Sequence, residues 1–73
     1  MWNLEGMIIE AMYMGEFPVR GRVEQSRVRY GGGVCHTVVL DEAITVYGAL
    51  RDRVIVEHEY ISRVKDLIDT LNQ

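Results

Sequence analysis

Cys35 and His36 stand side by side in this chain, and His58 is its only other imidazole. Thiolate and imidazole are the usual couple of a cysteine nucleophile and its base, and both are zinc ligands. Spacing argues against either chemistry. Residues 34–38 read as a strand, where neighbours leave the backbone on opposite faces, so Cys35 and His36 do not reach one proton or one metal ion. Zinc also takes three or four protein ligands, and His58 is the one remaining imidazole or thiol. The expectation is a small buried Cys35, a His36 either exposed or hydrogen-bonded within the fold, and no metal or other cofactor.

Gly31-Gly32-Gly33 offers backbone amides that an anion would accept. A phosphate loop, however, continues into Lys-Ser or Lys-Thr at the start of a helix, and a dinucleotide fingerprint sits in a βαβ unit. Here Val34-Cys35-His36-Thr37-Val38 follows, so the triplet reads as a hairpin loop that uses positive φ. The carboxylates Asp41, Glu42, Glu57, Glu59, Asp66 and Asp69 form no defined pair, and neither Ser26 nor Ser62 has a His–Asp pattern beside it. So short a chain also has little room for a substrate pocket of several hundred cubic ångströms. No enzymatic activity and no small-molecule substrate are expected.

The sharpest feature is basic. Residues 20–29 hold Arg20, Arg22, Arg27 and Arg29 against one acid, Glu24, a local charge of +3 in a chain whose total is −3. In this stretch Val19, Gly21 and Val23 share one strand parity and Val28 and Tyr30 the other, so the phase slips once. A bulge near Gln25-Ser26 supplies the extra residue and places both apolar sets on the core with every arginine outward. Such a ribbon, ending in Tyr30 and the glycines, suits an acidic protein surface or a phosphate backbone. Overall acidity and a single flanking aromatic place nucleic acid below an intramolecular or protein-facing role, for which Glu57, Glu59, Asp66 and Asp69 are possible carboxylate mates within one chain or between two.

The second feature is residues 6–14, mostly apolar with Glu10 as their only charge. As a strand they divide into Met7, Ile9, Ala11 and Tyr13 on one face, and Ile8, Met12 and Met14 on the other with Glu10. The second set needs cover, from a subunit, from a target that exploits adaptable methionine, or from the stripe Val64, Leu67, Ile68 and Leu71. That stripe has helical spacing, which predicts a short C-terminal helix over about 65–71 with Ser62 as a plausible N-cap. Trp2 and Leu4 either join this cluster or lie loose.

The elements that position these residues are short strands. Pro18 ends the first run, residues 19–30 form the second, and 34–40, 43–47 and 53–57 the next three. Tight turns at 41–42 and 48–52 separate them. Residues 58–61 read as one 3₁₀ turn into a last strand at 62–64, although a continuous helix from Glu59 competes.

Composition agrees with one small globular domain: 73 residues, 48% hydrophobic and 26% charged. Domains of this size seldom gain more than about 3–5 kcal/mol from one core. The single cysteine excludes an intrachain disulfide, so a partner subunit is a natural supplement. No apolar run approaches 18 residues, and no basic and apolar leader opens the sequence, so the cytoplasm is expected and no membrane.

The sequence thus predicts an all-β fold, a small SH3-like barrel of five to six short antiparallel strands with a short C-terminal helix. Its expected role is a non-enzymatic interaction module of the size of a phage or bacterial accessory factor. It would bind another protein, or itself, through Arg20, Arg22, Arg27, Arg29 and Tyr30 or through Met12 and Met14. The alternative is a nucleic-acid-binding barrel that uses the arginine ribbon.

Overall fold

The computed structural model describes residues 2–65. Five antiparallel strands form one sheet: β1 (Ile8–Tyr13), β2 (Phe17–Val28), β3 (Val34–Val46), β4 (Ala49–Glu57) and, after a 3₁₀ turn at His58–Tyr60, β5 (Ile61–Lys65). Their order is β4-β3-β2-β1-β5. Three successive hairpins build the first four strands, and the chain then returns to lay β5 along β1. The sheet is not closed: among the described residues β4 and β5 remain its two edges. A closed barrel is therefore not what the ladder forms.

Several predicted boundaries change. Residues 34–40 and 43–47 are one strand, β3, whose pairing with β4 shifts register between Val39 and Ile44. Asp41-Glu42 sits at that irregularity, so its turn-forming residues mark a bend in a continuous strand. The predicted turn at 48–52 shrinks to Tyr47-Gly48, because Val46 pairs with Ala49. Both residues have positive φ, 48° and 82°, which matches the right-handed twist of the strands they join. Of the predicted helix, Lys65 belongs to β5, and residues 66–71 lie outside the described residues.

The register slip in β2 is present one position earlier than expected. Val23 pairs with Val38 but Gln25 with Thr37, so Glu24 is the extra residue. The segment before β1 wraps this bulge. Gly6 N–H donates to Val23 O (2.9 Å), Val23 N–H to Met7 O (2.8 Å), and Ser26 N–H to a Glu5 carboxylate oxygen (2.9 Å). The two Val23 bonds carry the β1–β2 pairing one step past Ile8, and the Glu5 carboxylate gives the Ser26 N–H its partner.

The core gathers Leu4, Ile9, Ala11, Val19, Val23, Val38, Leu40, Val54 and Val56, with Met7, Tyr13, Ile44 and Ile61 packed against it. The predicted core set of β1 is thus in place. Val28 and Tyr30 are not, being respectively 56% and 108% exposed. Parity does turn Val28 toward the core side, but it ends its strand and nothing beyond it supplies cover. Val38→Ala removes fully buried atoms and is expected to cost about 2 kcal/mol by urea unfolding. Leu50→Ala, at an exposed site, should stay within about 0.5 kcal/mol of the parent.

Candidate functional site

All four ribbon arginines are exposed, but they do not form one surface. Arg20 lies 3.6 Å from Asp41 and shares a hollow of about 300 Å³ with Pro18, Val19, Glu42 and Ile44. Arg22 is opposite Val39 and Ile8. Arg27 and Arg29 lie beyond the bulge, at the other end of β2. Arg29 donates to Glu57 at 2.7 Å, and this bond raises the guanidinium pKa and lowers that of the Glu57 carboxyl. Glu57 in turn pushes the neighbouring Glu59 carboxyl upward. Arg27 has no ion-pair partner among the described residues.

Pairing places Arg27, Cys35 and Glu57 in one row across β2, β3 and β4, with Gln25, Thr37 and Ile55 in the next. The end of β2 here borders a hollow of about 440 Å³, lined by Arg27, Val28, Arg29, Tyr30, Cys35 and Ile55 among others. A second hollow, about 340 Å³, lies between Ile55, Glu57, Met14 and Tyr60. Ile55, 60% exposed, is common to both. Sheet geometry therefore unites Arg27, Arg29, Tyr30 and Met14 around Ile55, and it separates them from Arg20 and Met12. Met14 belongs to the β1–β2 turn, with φ 57°, and is exposed. Met12 is half-buried opposite Pro18.

Cys35 and His36 do project to opposite faces. Cys35 is half-buried on the outer face, not in the core as expected. His36 is fully buried between Ser26 of β2 and Val56 of β4. Its Nδ1 is 2.7 Å from Ser26 Oγ and its Nε2 is 2.8 Å from His58 Nδ1. Ser26 Oγ also accepts the Leu4 N–H at 3.0 Å. Each imidazole nitrogen of His36 is thus paired, Nδ1 with the Ser26 hydroxyl and Nε2 with His58, and the ring tautomers set which atom donates in each bond. Burial, aided by the neighbouring His58, holds the His36 pKa below its usual 6.5.

This relay was not read from the sequence, where no His–Asp pattern lies beside Ser26. Its signal was available: past the bulge Ser26 shares core parity with His36, and His36 lies in the apolar series Val34, Val38 and Leu40. Ser26 is itself buried and accepts a backbone bond, so its hydroxyl is a structural link and not an accessible nucleophile. Among the described residues no three His, Cys, Asp or Glu side chains converge as a ligand set. None of the described helical structure is long and apolar enough to cross a membrane. Comparison of the chain with protein-family models, with curated proteins and with solved structures finds no match in any of the three.

Proposed function

We propose that this chain is a non-enzymatic module, of SH3-like plan, that binds an acidic, apolar-flanked segment of another protein. The strand order, with β5 laid on β1 after a 3₁₀ turn, supports that plan. The observation that carries the binding reading is the exposed Ile55 between two hollows, with Arg27, Val28 and Tyr30 on one side and Met14 and Tyr60 on the other. Apolar anchors beside Arg27, which has no ion-pair partner among the described residues, are what a peptide carrying carboxylates and a large side chain would use. The pairing of Arg20 with Asp41 and Arg29 with Glu57 leaves less positive charge for a nucleic-acid backbone than the sequence count implies.

The test is selection of displayed peptides on the wild-type chain, followed by titration of the selected peptide. Acidic peptides with an aromatic or aliphatic anchor are expected. Arg27→Glu combined with Arg29→Glu should weaken binding at least about thirtyfold, the loss of a ~2 kcal/mol hot spot, with the circular dichroism spectrum unchanged. Equal affinity in the double variant removes this face from consideration. Oligonucleotide binding that falls steeply with salt would transfer the arginines to the nucleic-acid reading. Light scattering on the eluting peak, with and without peptide, separates self-association from capture of a target.

A further inference from the structure

β4 is an edge of the sheet, and among the described residues only β3 pairs with it. Its other side therefore presents backbone donors and acceptors, at alternate residues, to any strand that can reach them. One part of that edge is charged, Arg51-Asp52-Arg53, as edges that avoid partners usually are. The next part, Val54-Ile55-Val56-Glu57, is three β-branched residues and one acid. Ile55 is 60% exposed, whereas Val54 and Val56 on either side of it are buried. We propose that β4 pairs antiparallel with β4 of a second copy of this chain, about a two-fold axis at Ile55.

Charge sets the register. Arg53, Ile55 and Glu57 share the outer face, because they alternate with the buried Val54 and Val56. With Ile55 opposite its own copy, Arg53 of each chain faces Glu57 of the other, and Val54 faces Val56. The outer row then matches opposite charges twice around an apolar centre, as a self-complementary interface requires. Each of these charges is already half of an ion pair within its own chain: Arg53 lies 3.3 Å from Glu24, and Glu57 lies 2.7 Å from Arg29. Across the seam the signs alternate through Arg29, Glu57, the second copy's Arg53 and the second copy's Glu24, and the order repeats on the other side of the axis. An axis at Asp52 or Arg53 puts like charges face to face, and one at Val54 sets each Ile55 against an arginine.

The inference rests on reading this face as a binding surface, and it names the first occupant. The ligand class assigned to the face is an acidic, apolar-flanked segment, and Val54-Ile55-Val56-Glu57 is itself one. The hollow of about 340 Å³ between Met14, Tyr60, Ile55 and Glu57 has no residue of β3 in its wall. It therefore opens on the unpaired side of β4, where the second copy's strand covers it. β5, the other edge, has five residues and carries Arg63 and Lys65 with no acid, so its own copy laid along it would oppose cation to cation. A second subunit also supplies buried area that a domain of 73 residues lacks.

Light scattering on the full chain without peptide, from micromolar to millimolar, tests the seam, and the mass is expected to rise toward twice that of the monomer. Arg53→Glu alone and Glu57→Arg alone each set like charges opposite one another at two places per dimer, and each should weaken self-association about tenfold or more. An equimolar mixture of the two variants should recover the dimer, since one chain then carries both carboxylates and the other both arginines. A wild type that stays monomeric at millimolar concentration overturns the inference, as does a dimer that neither variant weakens or that the mixture does not recover. If a variant does not fold, hydrogen exchange of the wild-type amides decides: dimerisation should protect alternate amides of residues 53–57, and protection confined to other strands rejects the seam. Acidic peptides that bind a wild type monomeric throughout would leave the peptide reading in place and remove this one. A dimer that captures no peptide would keep the seam and remove the foreign ligand.

Discussion

Replacing Gly21 with alanine is expected to abolish the fold or come close to it. Gly21 sits in the middle of β2, opposite Ile9 of β1 and Leu40 of β3. A Cβ placed there would be 2.9 Å from the Leu40 Cα and closer still to the Val39 carbonyl oxygen. Those are backbone atoms, so no rotamer change makes room, and β3 must move off its ladder. Glycine in a strand interior often marks such a close approach of another backbone. Inserting even one methyl into packed structure costs about 1–3 kcal/mol, and the whole domain has only about 3–5 kcal/mol to lose. Far-UV circular dichroism and urea unfolding at 25 °C read the result. Gly33→Ala is the contrast, since nothing crowds it except a distant part of Arg29, though its φ of 78° disfavours a side chain. It should fold and lose about 1–2 kcal/mol. A Gly21→Ala protein as stable as the parent would mean that β2 and β3 are not this close.

The second large effect belongs to His36. His36→Ala should cost about 3 kcal/mol or more, because it opens a cavity in the core and leaves the Ser26 hydroxyl without its imidazole partner. The same substitution should flatten part of the stability profile against pH. His36 is neutral in the fold with its pKa held below 6.5, chiefly by burial and then by His58. In the unfolded chain it takes a proton near 6.5. Above that value neither state binds the proton and the full contribution is present. Below it the unfolded state binds more protons, so stability falls as pH drops toward the folded pKa. Urea midpoints between pH 8 and pH 5 measure this slope, and His36→Ala should lack the His36 share of it. An identical slope in both proteins would show that His36 is not the group responsible.

The strand pattern was legible because alternation and turn chemistry pointed the same way. Residues 6–14 gave the right core face, the parity break in 19–30 gave a real bulge, and residues 58–64 gave the 3₁₀ turn and last strand. The failures have separate physical causes. Asp41-Glu42 carries turn chemistry, yet β3 runs through it because a register shift absorbs the irregularity. Val28 and Tyr30 have the right parity for the core but lie where the sheet runs out of neighbours. Closure into a barrel depends on long-range pairing of the two edges, which local periodicity does not encode. The relay was missed because its members come from three elements, and only the β2–β3 register brings Ser26 opposite His36. Of the carboxylates the sequence offers as mates for the arginines, Glu57 does hold Arg29, whereas the Arg20–Asp41 pair was missed because only the folding of β3 beside β2 brings Asp41 near.

The pairing of β5 with β1 also bears on how the protein is made. β1 acquires its first neighbour, β2, almost at once, but its second is Ile61–Lys65, made only after β2, β3 and β4. Until that stretch leaves the ribosome, the far side of β1 exposes unpaired amides and carbonyls to any other nascent chain. Cells that slow synthesis, or truncate the message before the codon of Ile61, should accumulate an aggregation-prone four-stranded intermediate, and Ile61–Lys65 act as its built-in stopper.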